Sequence, residues 1–154
     1  MVRLGVLVVA AVMIACVPPL PRERPADFSV AVARSAMTTP TPLDRWALDA
    51  KGWTFGAVGG HVAITGPAAT GELDRAYQLV REARMDLFVT RAIDGEILDG
   101  HVEMLELMIA GRRTKVITGT RYEHVRGDRQ NYANAMVGLG ELAAAAYARL
   151  APPP

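Results

Sequence analysis

His101-Val102-Glu103-Met104-Leu105-Glu106-Leu107-Met108-Ile109-Ala110-Gly111 is the stretch on which the fold turns. Val102, Leu105, Met108 and Ile109 recur at helical spacing, and Gly111 stands where a helix would stop. That pattern predicts an amphipathic helix. Before it, 86–90 (Asp-Leu-Phe-Val-Thr) reads as a mostly buried strand; after it, 115–118 (Lys-Val-Ile-Thr) reads as another. Further upstream, Leu73, Ala76, Tyr77, Val80 and Ala83 mark a helix, with Thr70 as its cap and Glu72 and Asp74 at its positive end. Two alternating runs, 53–57 and 62–64, flank Gly59-Gly60 and read as a β-hairpin. At the far end, 128–150 carries Tyr132, Met136, Leu139, Ala143 and Tyr147 along one helical stripe. The order is ββαβαβα. It predicts an α/β domain: a small, mostly parallel sheet with an N-terminal hairpin, helices packed on it and right-handed crossovers. Ligands in such sheets bind beyond the carboxyl ends of the strands, here the loops 91–100 and 119–128.

The N-terminus reads differently. Arg3 precedes an unbroken apolar and small-residue run from Leu4 to Ile14. A positive start, an apolar segment of about 7–15 residues and a small residue before the cut make a secretory signal. Met13-Ile14-Ala15-Cys16 adds a cysteine directly after that small residue. It resembles the lipobox of bacterial lipoproteins, in which the cysteine is acylated. The resemblance implies a signal peptide 1–15, lipid on Cys16 and attachment to the cell envelope. With Val17 after the cysteine, it implies the periplasmic face of the outer membrane in a diderm cell. Each buried acyl CH₂ adds about 0.8 kcal/mol to such an anchor. An uncut apolar signal, or a cytoplasmic protein starting at Met37, stays open at this point.

Six of the ten prolines fall between 18 and 42, so 16–43 reads as a lipidated cysteine followed by a proline-rich tether, with a short strand at 28–32 as an option. The domain is then 44–150, followed by a proline tail, 151–154. A length of 154 residues suits one domain, and 51% hydrophobic residues support a packed core. The net charge of +1 argues against a general polyanion binder, and no nucleic-acid partner is expected. Cys16 is the only cysteine, which excludes an intramolecular disulfide and a cysteine-built zinc site.

From His61 onward the chain resembles the Clp-protease-like and crotonase-like domains. His61-Val62-Ala63-Ile64-Thr65-Gly66-Pro67 matches their opening strand and glycine turn, and Asp94-Gly95-Glu96-Ile97-Leu98-Asp99-Gly100 matches the spacing of their glycine loop with one paired glycine missing. The resemblance covers roughly 61–119. It implies a hydrolase or acyl-transfer enzyme with Gly95 and Gly100 as loop glycines. The chain also departs from the pattern. Where serine members carry their nucleophile stand Thr120-Arg121-Tyr122-Glu123-His124, and the only serines are Ser29 and Ser35. A Ser-His-Asp or Cys-His hydrolase therefore lacks its nucleophile within 44–150.

What remains for acid–base chemistry is Asp94 and Glu96 in one loop and Glu123 and His124 in the other. His61, His101 and His124 lie too far apart in sequence to suggest a metal site, and no cofactor is expected. Residues 86–106 hold six acids against Arg91, and 112–129 hold six bases against Glu123 and Asp128, a pattern that most simply pairs with itself or faces solvent. The leading expectation is a lipid-anchored envelope protein, bound to the membrane through Cys16, whose non-catalytic domain binds a protein or envelope component. Oligomeric state stays open.

Overall fold

The computed structural model describes residues 17–35, 41–56, 63–93 and 101–153. Cys16, Met37, the Gly59-Gly60 turn and the loop residues Asp94, Gly95, Glu96, Asp99 and Gly100 lie outside them.

Eight strands and two α-helices follow in chain order: β1 (Ser29–Arg34), β2 (Arg45–Asp49), β3 (Gly52–Phe55), β4 (Ile64–Gly66), α1 (Glu72–Glu82), β5 (Val89–Ala92), β6 (Val102–Ile109), β7 (Arg112–Gly119), β8 (Tyr122–Arg126) and α2 (Arg129–Leu150). Six strands form one sheet in the order β4-β3-β2-β1-β6-β7, and β5 and β8 form a separate two-stranded ribbon. Every pairing is antiparallel. This corrects the expected mostly parallel ββαβαβα sheet, and the Clp/crotonase-like layout falls with it.

The physical reason lies in the stretch 101–111. Glu103, Leu105, Leu107 and Ile109 share one face of β6, while Met104, Glu106 and Met108 share the other. As a strand, β6 buries Leu105, Leu107 and Ile109 together against the helices, and full burial of each such side chain contributes roughly 1.5–3 kcal/mol. A helix would turn Leu107 away from Leu105 and Ile109. Ala110 and Gly111 have φ of 50° and 75°, the two positive angles of a tight primed turn, so Gly111 closes a hairpin to β7 where helix termination was expected. The Asp27 carboxylate accepts hydrogen bonds from both turn amides, Ala110 N at 3.0 Å and Gly111 N at 2.6 Å. Strands joined by two residues can pair only antiparallel, and the second of the two expected βαβ units disappears.

The segment read as a tether contributes to the sheet and its core. β1 lies between β2 and β6, with Val32 opposite both Trp46 and Leu105. Val30 and Val32 are fully buried, as is Phe28, whose ring meets Tyr77 edge-on at 5.0 Å. The proline-containing segment upstream packs along α1. There Tyr77 Oη donates to the Pro21 carbonyl at 2.7 Å, and Arg24 pairs with Asp74 at 2.6 Å. The ordered fold thus takes in residues upstream of 44.

The remaining expectations divide by range. α1 and α2 fall where their stripes place them, although Gly71, not Thr70, caps α1. Asp128 caps α2 by accepting from Asn131 N at 2.8 Å. β3 and β4 form the expected antiparallel pair. β2 and β8 went unread in the sequence.

Candidate functional site

Three elements meet at one end of the sheet and leave a cavity of about 650 Å³. Its floor is a row across three strands, in which Arg34 of β1 stands opposite Glu103 of β6, and Glu103 opposite Thr118 of β7. One wall is the β5/β8 ribbon, whose inward side chains are Thr90, Tyr122 and His124. The other wall is the stripe of α2 that begins with Arg129, Tyr132 and Ala133 and continues through Met136, Val137 and Gly140. Leu43, Trp46, Phe88, Glu141 and Ala144 complete the walls. Gly119 ends the floor with φ of 140°; a Cβ there would sit 1.9 Å from the His101 carbonyl oxygen, so only glycine lets β7 pass so close.

Rings dominate the lining. Phe88 stacks on Tyr132 with centroids 4.0 Å apart, and His124 lies 4.9 Å from Phe88. Together with Trp46 and Tyr122, four of the nine Phe, Trp and Tyr residues of a chain with only 6% aromatics line this one space. His124 Nε2 donates to the Gly127 carbonyl at 2.8 Å, since a carbonyl can only accept. That bond fixes the ring on the ribbon.

The polar groups are few and unevenly satisfied. Arg34 Nε donates to Glu103 Oε2 at 2.5 Å, a pair whose side chains are 31% and 14% exposed. The other guanidinium N–H groups of Arg34 have no hydrogen-bond partner among the described residues. Tyr132 is 5% exposed, and its hydroxyl is the one buried side-chain polar atom among the described residues without a partner. Burial pushes the Tyr132 phenol well above its ordinary pKa; the Glu103 charge adds to the shift and Arg34 opposes it. The phenol therefore stays protonated and available as a donor.

The sequence placed its candidates in the loops 91–100 and 119–128. Their described parts do come together, as the β5/β8 ribbon, and Ile93 N donates to the Arg121 carbonyl at 2.7 Å. They do not build an acid–base pair. Neighbours on a strand point to opposite sides, so His124 faces the cavity while Glu123 faces outward, where it pairs with Arg91. Asp94, Glu96, Gly95 and Gly100 lie outside the described residues, as does Cys16. Among the described residues no group of three His, Cys, Asp or Glu is placed to hold a metal ion. Sequence reasoning missed Arg34, Trp46, Glu103 and Tyr132 as a site. Tyr132 was readable only as part of a core stripe, and Arg34 and Glu103 meet across 69 residues of chain.

Among protein-family models, curated proteins and solved structures, none matches this chain. The class is therefore defined by its own architecture: an antiparallel α+β domain with an aromatic cavity between α2, the end of the sheet and a β-ribbon.

Proposed function

We propose that the chain is an exported lipoprotein, held on the cell envelope through Cys16, whose domain is a binding module that receives an apolar envelope component in the cavity beside α2. One observation carries the binding part: a ring-lined space of about 650 Å³ with converging polar groups, one of them buried without a partner among the described residues. Binding sites for small molecules have this size and this mixture. The anchoring part rests on Met13-Ile14-Ala15-Cys16. It gains support from β1, because a chain starting at Met37 would lack Phe28, Val30 and Val32 and would leave β2 and β6 without the strand between them.

Two experiments test it. Metabolic labelling with a fatty acid should mark the wild type and spare Cys16→Ser; a wild type without label rules out the anchor. For binding, 1-anilinonaphthalene-8-sulfonate should brighten on the full chain in phosphatidylcholine nanodiscs, above empty discs, and Gly140→Trp should remove that increment. A Cβ at Gly140 meets nothing within 4 Å, so the indole has room to fill the cavity without disturbing α2. An increment that survives Gly140→Trp rules the cavity out as the binding site.

A further inference from the structure

We infer, resting on the reading of the cavity as a binding site, that its ligand is an amphiphile with a single carboxylate head and an apolar body. The cavity is polar mainly at one end. Along α2 its wall runs from Arg129 and Tyr132 in the first turn and a half, through Met136 and Val137, to Gly140 and Ala144. The head therefore belongs near the start of α2 and the body along its middle.

Donors gather at that end, around Tyr132, and part of their capacity meets no acceptor among the described residues. Arg34 uses Nε on Glu103 and keeps its outer guanidinium edge free of hydrogen bonds among the described residues. The Arg129 side chain makes no ion pair or hydrogen bond among the described residues, and among them the buried Tyr132 hydroxyl finds no acceptor. The charges facing this end are Arg34 and Arg129 against Glu103, with His124 as the titratable neighbour. Glu141 lines the cavity twelve residues along α2 from Arg129, about 18 Å away by helical rise. One positive charge is left over, and the start of the 22-residue α2 adds to it.

A carboxylate matches this arrangement in charge and in shape. Two oxygens take the paired N–H groups of a guanidinium, and their remaining lone pairs accept the phenol proton. A neutral head would leave the charge unmatched. A dianionic phosphate would exceed it and face Glu103 at close range. The body then lies on rings and small side chains that carry no preference for charge.

Matched probes separate the head from the body: decanoate and decanamide, 2-naphthoate and 2-naphthamide, titrated calorimetrically into the full chain in phosphatidylcholine nanodiscs with empty discs as blank. At least one carboxylate should bind about tenfold more tightly than its amide, the yield of one charge-assisted contact. The better carboxylate shows whether the body is an alkyl chain or a flat ring. Arg129→Gln and Tyr132→Phe should each weaken that carboxylate by about three- to tenfold and leave the amide unchanged. Gly140→Trp should abolish binding of both, with circular dichroism reporting that the variants fold. Equal binding of carboxylate and amide, or no selective effect of Arg129→Gln, overturns the carboxylate head while the cavity stands as a binding site. No binding of any of the four probes overturns both.

Discussion

The two ends of α2 solve the same problem in opposite ways. At its C-terminal end the polar groups between helix and sheet are saturated. Glu72 accepts from Trp53 Nε1 at 2.8 Å, from Ala69 N at 2.8 Å and from Arg149 Nη1 at 2.6 Å. Trp53 stacks on Phe55, and Tyr147 closes on Phe55 edge-on. At the N-terminal end an Arg–Glu pair, here held within the sheet, again meets a tyrosine of the helix, but the space stays open and the Tyr132 hydroxyl has no partner among the described residues. One end ties α1, β3 and α2 together. The other leaves donors unmatched, which a structural role does not require and a ligand would use.

The contrast breaks first at Trp53. Trp53→Ala should cost roughly 3–5 kcal/mol in a urea melt, because it empties a packed site and strips Glu72 of a donor. Trp46→Ala should cost visibly less, since its surroundings already open on the cavity. Equal losses would erase the difference between the ends.

Glu72 gives the next largest effect. The Arg149 hydrogen bond, opposed by burial and helped by Trp53 and Ala69, lowers its pKa from 4.5 to about 2. A depressed carboxylate pKa contributes stability above 4.5 that fades as pH falls toward 2. After solvent screening of the half-exposed Arg149, that contribution is about 1–2 kcal/mol. Glu72→Gln should lose it at neutral pH and flatten the stability profile between pH 4.5 and 2, read by denaturant melts across that range.

Smaller effects should favour the variants at the open end. Gly140→Ala should raise stability by about 0.5–1 kcal/mol, since helix propensity improves and nothing lies within 4 Å of the new Cβ. Tyr132→Phe should be neutral or stabilising by up to about 1 kcal/mol, because it removes a buried hydroxyl with no partner among the described residues. A clear destabilisation by Tyr132→Phe would mean that the hydroxyl is satisfied within the protein.

Much of the saturated end was legible in the chain. The helical stripes and the β3–β4 pair rest on neighbours close in sequence. The open end was not. Glu123 and His124 looked like partners because they are adjacent, yet strand alternation sends them to opposite sides. Arg34 and Glu103 looked unrelated, and the register of β1 on β6 sets them face to face.

What the sequence determined by itself was local: two amphipathic helices, one hairpin, an apolar N-terminal run ending at Cys16 and the lack of any serine or cysteine between 44 and 150. What only the tertiary structure decided was whether 102–109 is helix or strand, and with it the sheet and the cavity. Val102, Leu105, Met108 and Ile109 satisfy a helical period, while Leu105, Leu107 and Ile109 satisfy a strand. The tie is broken by partners the stretch cannot carry, β1 some seventy residues upstream and the helices that bury its inner face.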